Sequence, residues 1–399
     1  METVTWERAT ARRLERHGLA RPVARERLAQ QAGAICGVHA QVMAAAELSL
    51  ALRVEGATRA DVRTALWDER ALIKTYGPRG TIHLLPAAEL ATWCAALAAI
   101  PFGSGRQPAG IAFSEDDEAH VVAAIAASLA DAALTADELT EALAERCGPW
   151  AVEESIPAFQ GLWPRWRQAI HRAAHAGALC FGPPRGRTVT FTNLRRLVPG
   201  FEAGAVSGDP AEWLVARWLR AYGPATASEF AKWAAAPQGW ARACFSALAD
   251  AGAIEAVAFP AEPGASGAGD RGRGERAWIV AGDGAFPADP PQGVRLLPYF
   301  DAYGIGCHPR GLLFPGRAAE RALARGQAGP YPLLLLDGVV GGVWHQRRAG
   351  RRIVLTVEPL RRLSAARSGA LEAEAERVAA ALEGRLDLRI GPVRVGAHA

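Results

Sequence analysis

The chain has 399 residues, half of them hydrophobic, and a mean hydropathy of +0.02. At roughly 100–200 residues per domain, this length suggests two to four domains with ample material for a core. The formal net charge is +4 and the pI about 8.9, too mild a basicity to establish a nucleic-acid partner by itself. The kind of base says more. All but two of the 45 basic residues are arginine, the exceptions being Lys74 and Lys232. Guanidinium forks suit phosphates and base edges, although a GC-rich genome yields the same enrichment. The six cysteines, Cys36, Cys94, Cys147, Cys180, Cys244 and Cys307, lie far apart with no Cys-x-x-Cys pair. That spacing argues against a zinc ribbon or a disulfide scaffold and for a reducing compartment. The start, Met-Glu-Thr-Val-Thr-Trp, has no apolar signal region, and no apolar run reaches membrane-spanning length. A cytoplasmic protein is the expectation.

Helices are expected over residues 5–17 and 22–34, the second with Pro22 near its first turn. A short link, Gly37-Val38-His39-Ala40-Gln41, follows, and helix resumes over 43–52. Thr58 is placed to cap a helix over 58–67, with Asp61 three residues on in the capping-box position. A strand at 71–76, a turn through Gly77-Pro78-Arg79-Gly80 and a return strand at 81–85 complete a first unit of helices followed by a hairpin. The pattern then recurs. Helices at 115–130, 136–146 and 160–176 precede strands at 178–181 and 187–191, whose turn carries Arg185 and Arg187. In a third round, helices at 211–221, 227–235 (capped by Thr226, with Glu229 in the capping box) and 238–251 precede strands at 253–259 and 276–280 around a Gly-rich tip at 263–274, read as mobile. The tail reads differently. Strands at 294–300, 333–336, 339–346 and 351–358 form an antiparallel meander with turns at Asp337-Gly338 and Ala349-Gly350, and a helix at 364–382 and a strand at 386–390 close the chain. Arg347, Arg348, Arg351 and Arg352 crowd the second turn.

Helices followed by a β-hairpin is the winged-helix pattern. The expected fold class is therefore α+β: three tandem winged-helix modules (1–110, 111–205, 206–290) and a C-terminal β-rich cap (291–399), together a C-shaped DNA clamp. The chemistry-bearing stretch is the link. In an extended segment, residues two apart point to one side, so His39 and Gln41 could hold a water molecule between a neutral imidazole and a carboxamide. The plainer reading is two polar residues in a loop. Glu47 is a candidate supporting carboxylate, with a surface helix charge as the plainer alternative. Asp301, after an apolar strand, is equally a cleft-lining or a structural residue. His83 is read as a packing residue of the first wing. His171 and His175 are spaced to share a metal, but no third ligand accompanies them, and no metal or organic cofactor is expected.

Three pieces, Gly37–Gln41, the wing Gly77-Pro-Arg-Gly-Thr-Ile-His-Leu-Leu-Pro86 and Leu335-Leu-Asp-Gly-Val-Val-Gly-Gly-Val-Trp344, together resemble the AlkZ-like family of bacterial DNA glycosylases. The resemblance spans essentially the whole chain, and the Arg-Gly-Thr-x-His wing is its most specific part. The family's catalytic motif, a Gln, an apolar residue, then Gln or Asp, falls on the link. Gln41 matches its last position, while His39 stands where Gln is usual. The resemblance implies catalysis by His39 and Gln41 and excision of alkylated purines such as N7-alkylguanine, including bulky natural-product adducts and interstrand crosslinks. It implies a role in repair or self-resistance to a genotoxin. An N7-alkylated guanine is already cationic and leaves readily, so the task is to place water at the anomeric carbon, where a neutral imidazole can also take its proton. With no lysine in the motif, a monofunctional enzyme without lyase activity is expected. The expected partner is double-stranded DNA bearing an alkylated purine, bound by a monomer through phosphate contacts from Arg79, Arg185, Arg187, Arg347, Arg348 and Arg351. The alternative is a non-catalytic winged-helix DNA-binding protein, a regulator or a lesion shield.

Overall fold

The computed structural model describes residues 1–101, 111–158, 161–204, 206–263 and 274–396. The Gly-rich tip expected to be mobile lies almost wholly outside them. The fold is mixed α and β, built from small sheets rather than one large one. Local sequence chemistry sets many helix starts. Thr5 caps Trp6–Arg16, and capping boxes at Thr58/Asp61, Ser114/Asp117, Thr135/Glu138 and Thr226/Glu229 start Arg59–Trp67, Glu115–Ser128, Ala136–Cys147 and Ala227–Ala234. In each box the hydroxyl accepts from the third helical amide while the carboxylate accepts from the cap amide, so two otherwise orphaned donors are satisfied.

Two expected helices are much shorter than read. Only Leu28–Ala34 of the second is α-helical, after a single 3-10 turn at Arg25–Arg27, and Val23 instead bridges Val54 in parallel. The helix expected over 160–176 shrinks to Ile170–His175 behind a 3-10 segment, Arg165–Ala169. Before it runs a two-stranded hairpin, Glu154–Pro157 with Leu162–Pro164. Pro164 explains the difference: it disfavours helix at Trp163 and, inside a helix, would remove an amide donor.

Leu72–Tyr76 pairs antiparallel with Ile82–Pro86, and the two-residue strand Val38–His39 adds to the other side of Ile82–Pro86, with His39 opposite His83. Cys180–Arg185 and Thr188–Thr192 form a second such sheet with Leu134–Thr135, and Ile254–Phe259 pairs with Glu275–Val280. The tail is a five-stranded sheet of Val294–Leu297, Leu333–Leu336, Val339–Ala349, Arg352–Pro359 and Arg385–Ile390. All its pairings are antiparallel except the last, which is parallel to its neighbour. At the Asp337-Gly338 turn both residues have positive φ (53° and 80°), as a two-residue type I′ hairpin demands. The second turn is Gly350-Arg351, one residue later than read, because Ala349 pairs with Arg352.

Packing ties distant segments together. Residues 121–191 bury a core of their own around Trp166 and Phe191, while the N-terminal residues share cores with both the third unit and the tail sheet. Arg13 joins these parts. Its Nε and Nη2 donate to the carbonyls of Tyr222 and Pro224 at 2.9 Å, and its Nη1 to that of His308 at 2.7 Å.

Candidate active site

The link is held by the sheet. Pairing of His39 with His83, and donation from the Ala40 amide to the Ile82 carbonyl at 2.7 Å, fix the imidazole on the inner side of the strand. It sits edge-on to the His83 ring, 5.3 Å between centroids, and against the Phe300 ring at 4.7 Å with a 32° tilt. Strand pairing stops at His39, and the chain bends through Gln41 and Val42 into the helix Met43–Ala51. The two polar residues of the link therefore part company. His39 is buried, whereas Gln41 is exposed beside Val42, itself 42 % exposed. The expectation that an extended link turns both to one side fails: strand pairing ends at His39 and the chain bends at Gln41 and Val42.

A cavity of about 10 Å³ borders His39, lined also by Cys36, Arg79, Tyr222, Trp233 and Phe300. That is room for about one water molecule. Nδ1 of His39 is buried with no hydrogen-bond partner among the described residues, an arrangement that costs about 1–3 kcal/mol unless a water or substrate group meets it. Burial, and then the nearby Arg79 charge, push His39 down to about 4, so its imidazole is neutral at pH 7. Burial holds His83 well below its usual range too, and its Nδ1 lies 2.9 Å from the Thr81 carbonyl, a packed and satisfied wing residue. Tyr222 closes the floor, its hydroxyl donating to the Ile35 carbonyl at 2.9 Å.

For Arg79 the structure corrects the expectation of an exposed wing tip. The turn folds it inward at φ 63°, where Nη1 donates to the Trp233 carbonyl at 2.9 Å and the guanidinium lies 5.9 Å from the Trp233 ring. It belongs to the cavity wall. Arg185 is exposed but paired with Glu138 at 2.8 Å and donates to the Ala133 carbonyl at 2.6 Å; hydrogen bonding to Arg185 holds Glu138 down to about 2. Arg187, Arg347 and Arg351 are exposed. Arg348 reaches across to the Leu382 carbonyl.

The remaining candidates are structural. Glu47 is buried rather than on the surface, receiving Arg59 Nε at 2.6 Å and Arg63 Nε at 2.7 Å and so clamping two helices. Asp301 is also fully buried and bonds Arg53 in bidentate fashion at 2.8 and 2.9 Å. His171 binds the Gly80 carbonyl at 3.0 Å, and no cluster of three metal-ligating side chains occurs among the described residues. Sequence reading missed Phe300, Tyr222 and Trp233 as wall residues. The only available signal was the aromatic pair Tyr299-Phe300 ahead of Asp301, since contacts across two hundred residues leave no local periodicity.

The DNA glycosylase AlkZ-like family matches residues 32–381. An interstrand DNA cross-link repair glycosylase of Streptomyces sahachiroi is 29 % identical over 356 residues, covering 85 % of this chain and 87 % of that protein. The solved structure of the Streptomyces sahachiroi DNA glycosylase AlkZ superposes with a TM-score of 0.77 at 27 % identity, covering 98 % of this chain and all of the other. The chain belongs to the AlkZ-like DNA glycosylase family and is a DNA-repair glycosylase, with DNA as its partner.

Proposed function

We propose that this enzyme hydrolyses the N-glycosidic bond of alkylated purines in duplex DNA, N7-alkylguanine foremost, with His39 and Gln41 as its catalytic pair. The observation that carries the reading is the neutral, buried His39, whose unpaired Nδ1 borders a cavity the size of one water. A neutral imidazole accepts a proton from water as the cationic purine departs. Gln41, exposed with Val42 at the start of the next helix, meets the sugar from the DNA side. In this reading His39 is the inner base, and Gln41, which does not line the cavity, is the outer amide. A cavity of about 10 Å³ cannot take a purine, which favours excision of a lesion pressed against the link over extrusion into a pocket. Bulky adducts and crosslinks, the lesion class named for the Streptomyces sahachiroi relative, suit that mode. Neither lysine of the chain lines the cavity, in keeping with a monofunctional enzyme that leaves an abasic site.

The helix-then-hairpin recurrence supports three winged-helix modules and a β-rich cap clamped round DNA as a monomer. Arg185, Arg187, Arg347, Arg348 and Arg351 are the proposed phosphate contacts. The test is single-turnover excision from a duplex carrying one N7-methylguanine, read by alkaline cleavage of abasic sites. His39→Ala and Gln41→Ala should each lose most excision, on the order of 100-fold or more, while binding the duplex nearly as tightly as wild type. Wild-type rates in both variants would refute the site.

A further inference from the structure

Phe300 brings an unusual backbone to the wall of the cavity. Its φ is 55°, the left-handed region that bulky side chains rarely occupy. Such strain persists only where the surroundings over-determine it, and it clusters at functional sites. Here the determinants are visible. The Phe300 amide donates to the Gly329 carbonyl at 3.1 Å. Gly329 has φ 114°, and a Cβ there would stand 2.8 Å from Phe300 Cδ1, so a side chain at that position would displace the ring. Asp301, the next residue, is locked at both oxygens. Oδ2 accepts from Ser49 Oγ at 2.7 Å and Arg53 Nη1 at 2.9 Å; Oδ1 accepts from Arg53 Nη2 at 2.8 Å and from the Tyr303 amide at 3.0 Å. Ser49 lies on the helix Met43–Ala51 and Arg53 just beyond it, and that helix begins directly after the Gln41-Val42 bend. One helix thus fixes the link at its start and the Phe300–Asp301 segment at its end.

We propose that Phe300 is a positioning residue for the glycosylase reaction, its ring held against the His39 imidazole by the buried Asp301–Arg53–Ser49 clamp. This rests on the catalytic role proposed above for His39. In the step itself the water oxygen bonds to C1′. The C1′–N9 bond breaks with its electron pair leaving on the alkylated purine, and a water proton passes to the imidazole. The imidazole becomes cationic as the barrier is crossed. Arg79 and His83 face it from the first wing, and the Tyr222 hydroxyl and Cys36 thiol line the same cavity. Arg79 opposes the new charge, while the aromatic face of Phe300, at 4.7 Å, favours it and keeps the ring from turning. The benefit arises only in the transition state, so it appears in the rate and not in DNA affinity.

The test compares Phe300→Leu and Phe300→Tyr with wild type and His39→Ala in the full chain. Three quantities are read: single-turnover excision of N7-methylguanine, duplex affinity, and the His39 imidazole resonances followed from pH 5 to 8 by NMR. Phe300→Leu should excise about 3- to 30-fold more slowly with unchanged affinity, and its His39 resonances should move. Phe300→Tyr should restore both rate and resonances. Wild-type excision and unchanged His39 resonances in Phe300→Leu would overturn the proposal, as would a slowed Phe300→Tyr identical to Phe300→Leu. A fully active His39→Ala, or wild type inert toward this base, refutes the proposed site or substrate instead. The resonances then decide alone whether Phe300 positions the imidazole: moved ones support it, unmoved ones overturn it.

Discussion

The pH dependence of excision discriminates sharply between a buried and an ordinary histidine at position 39. Burial and the Arg79 charge hold His39 down to about 4, against 6.5 for an unperturbed imidazole. At pH 5.5 a group titrating near 4 is about 97 % neutral, whereas one titrating at 6.5 is about 9 % neutral. Moving the assay from pH 7.5 to 5.5 should therefore cost the wild-type enzyme only a few per cent of its single-turnover rate, where an ordinary histidine base would lose about tenfold. The perturbation that tests the cause is Arg79→Gln, which retains a donor for the Trp233 carbonyl and removes the charge. It should move the acid limb upward. The assay is the single-turnover rate on N7-methylguanine duplex across pH 4.5–8, with spontaneous depurination subtracted. An acid limb centred near 6.5 in wild type, or no movement in Arg79→Gln, would refute the reasoning. The same linkage bears on folding. Because the folded-state value lies below the unfolded one, His39 costs no stability above about pH 6.5. Below that, the unfolded chain binds the proton first and stability falls toward pH 4, by up to about 1.4 kcal/mol per pH unit.

Other outcomes follow from the packing. Asp301→Asn should destabilise the fold by about 3–5 kcal/mol in urea titration, since it strands the buried Arg53 guanidinium without its counter-charge; a loss under about 1 kcal/mol would contradict the clamp. Gly77→Ala should slow excision, because a Cβ there would stand 2.8 Å from the His83 ring, which packs on His39; an unchanged rate would show the wing to be more pliable than drawn. Replacing Arg187 and Arg351 by Ala should weaken duplex binding regardless of base sequence and flatten its salt dependence by about one unit of slope per contact. An unaltered salt slope would remove those residues from the interface.

Much of this protein was decided locally. The capping boxes at Thr58, Thr135 and Thr226 mark helix starts because a hydroxyl and a carboxylate three residues apart satisfy the first amides without outside help. The Asp337-Gly338 turn is equally self-contained, and the Gly37–Gln41, Gly77–Pro86 and Leu335–Trp344 segments carried the family resemblance. The tertiary structure decided what depends on distant partners. Trp233, about 150 residues away, turned Arg79 from a wing tip into a cavity wall, and Arg59 and Arg63 drew Glu47 inside. Phe300 reached His39 across some 260 residues beside an Asp301–Arg53 ion pair, buried, that no sequence window contains. Local hydrogen-bonding rules act within a turn of helix and can be read along the chain; burial and charge are summed over everything that packs nearby, and only the folded chain fixes that sum.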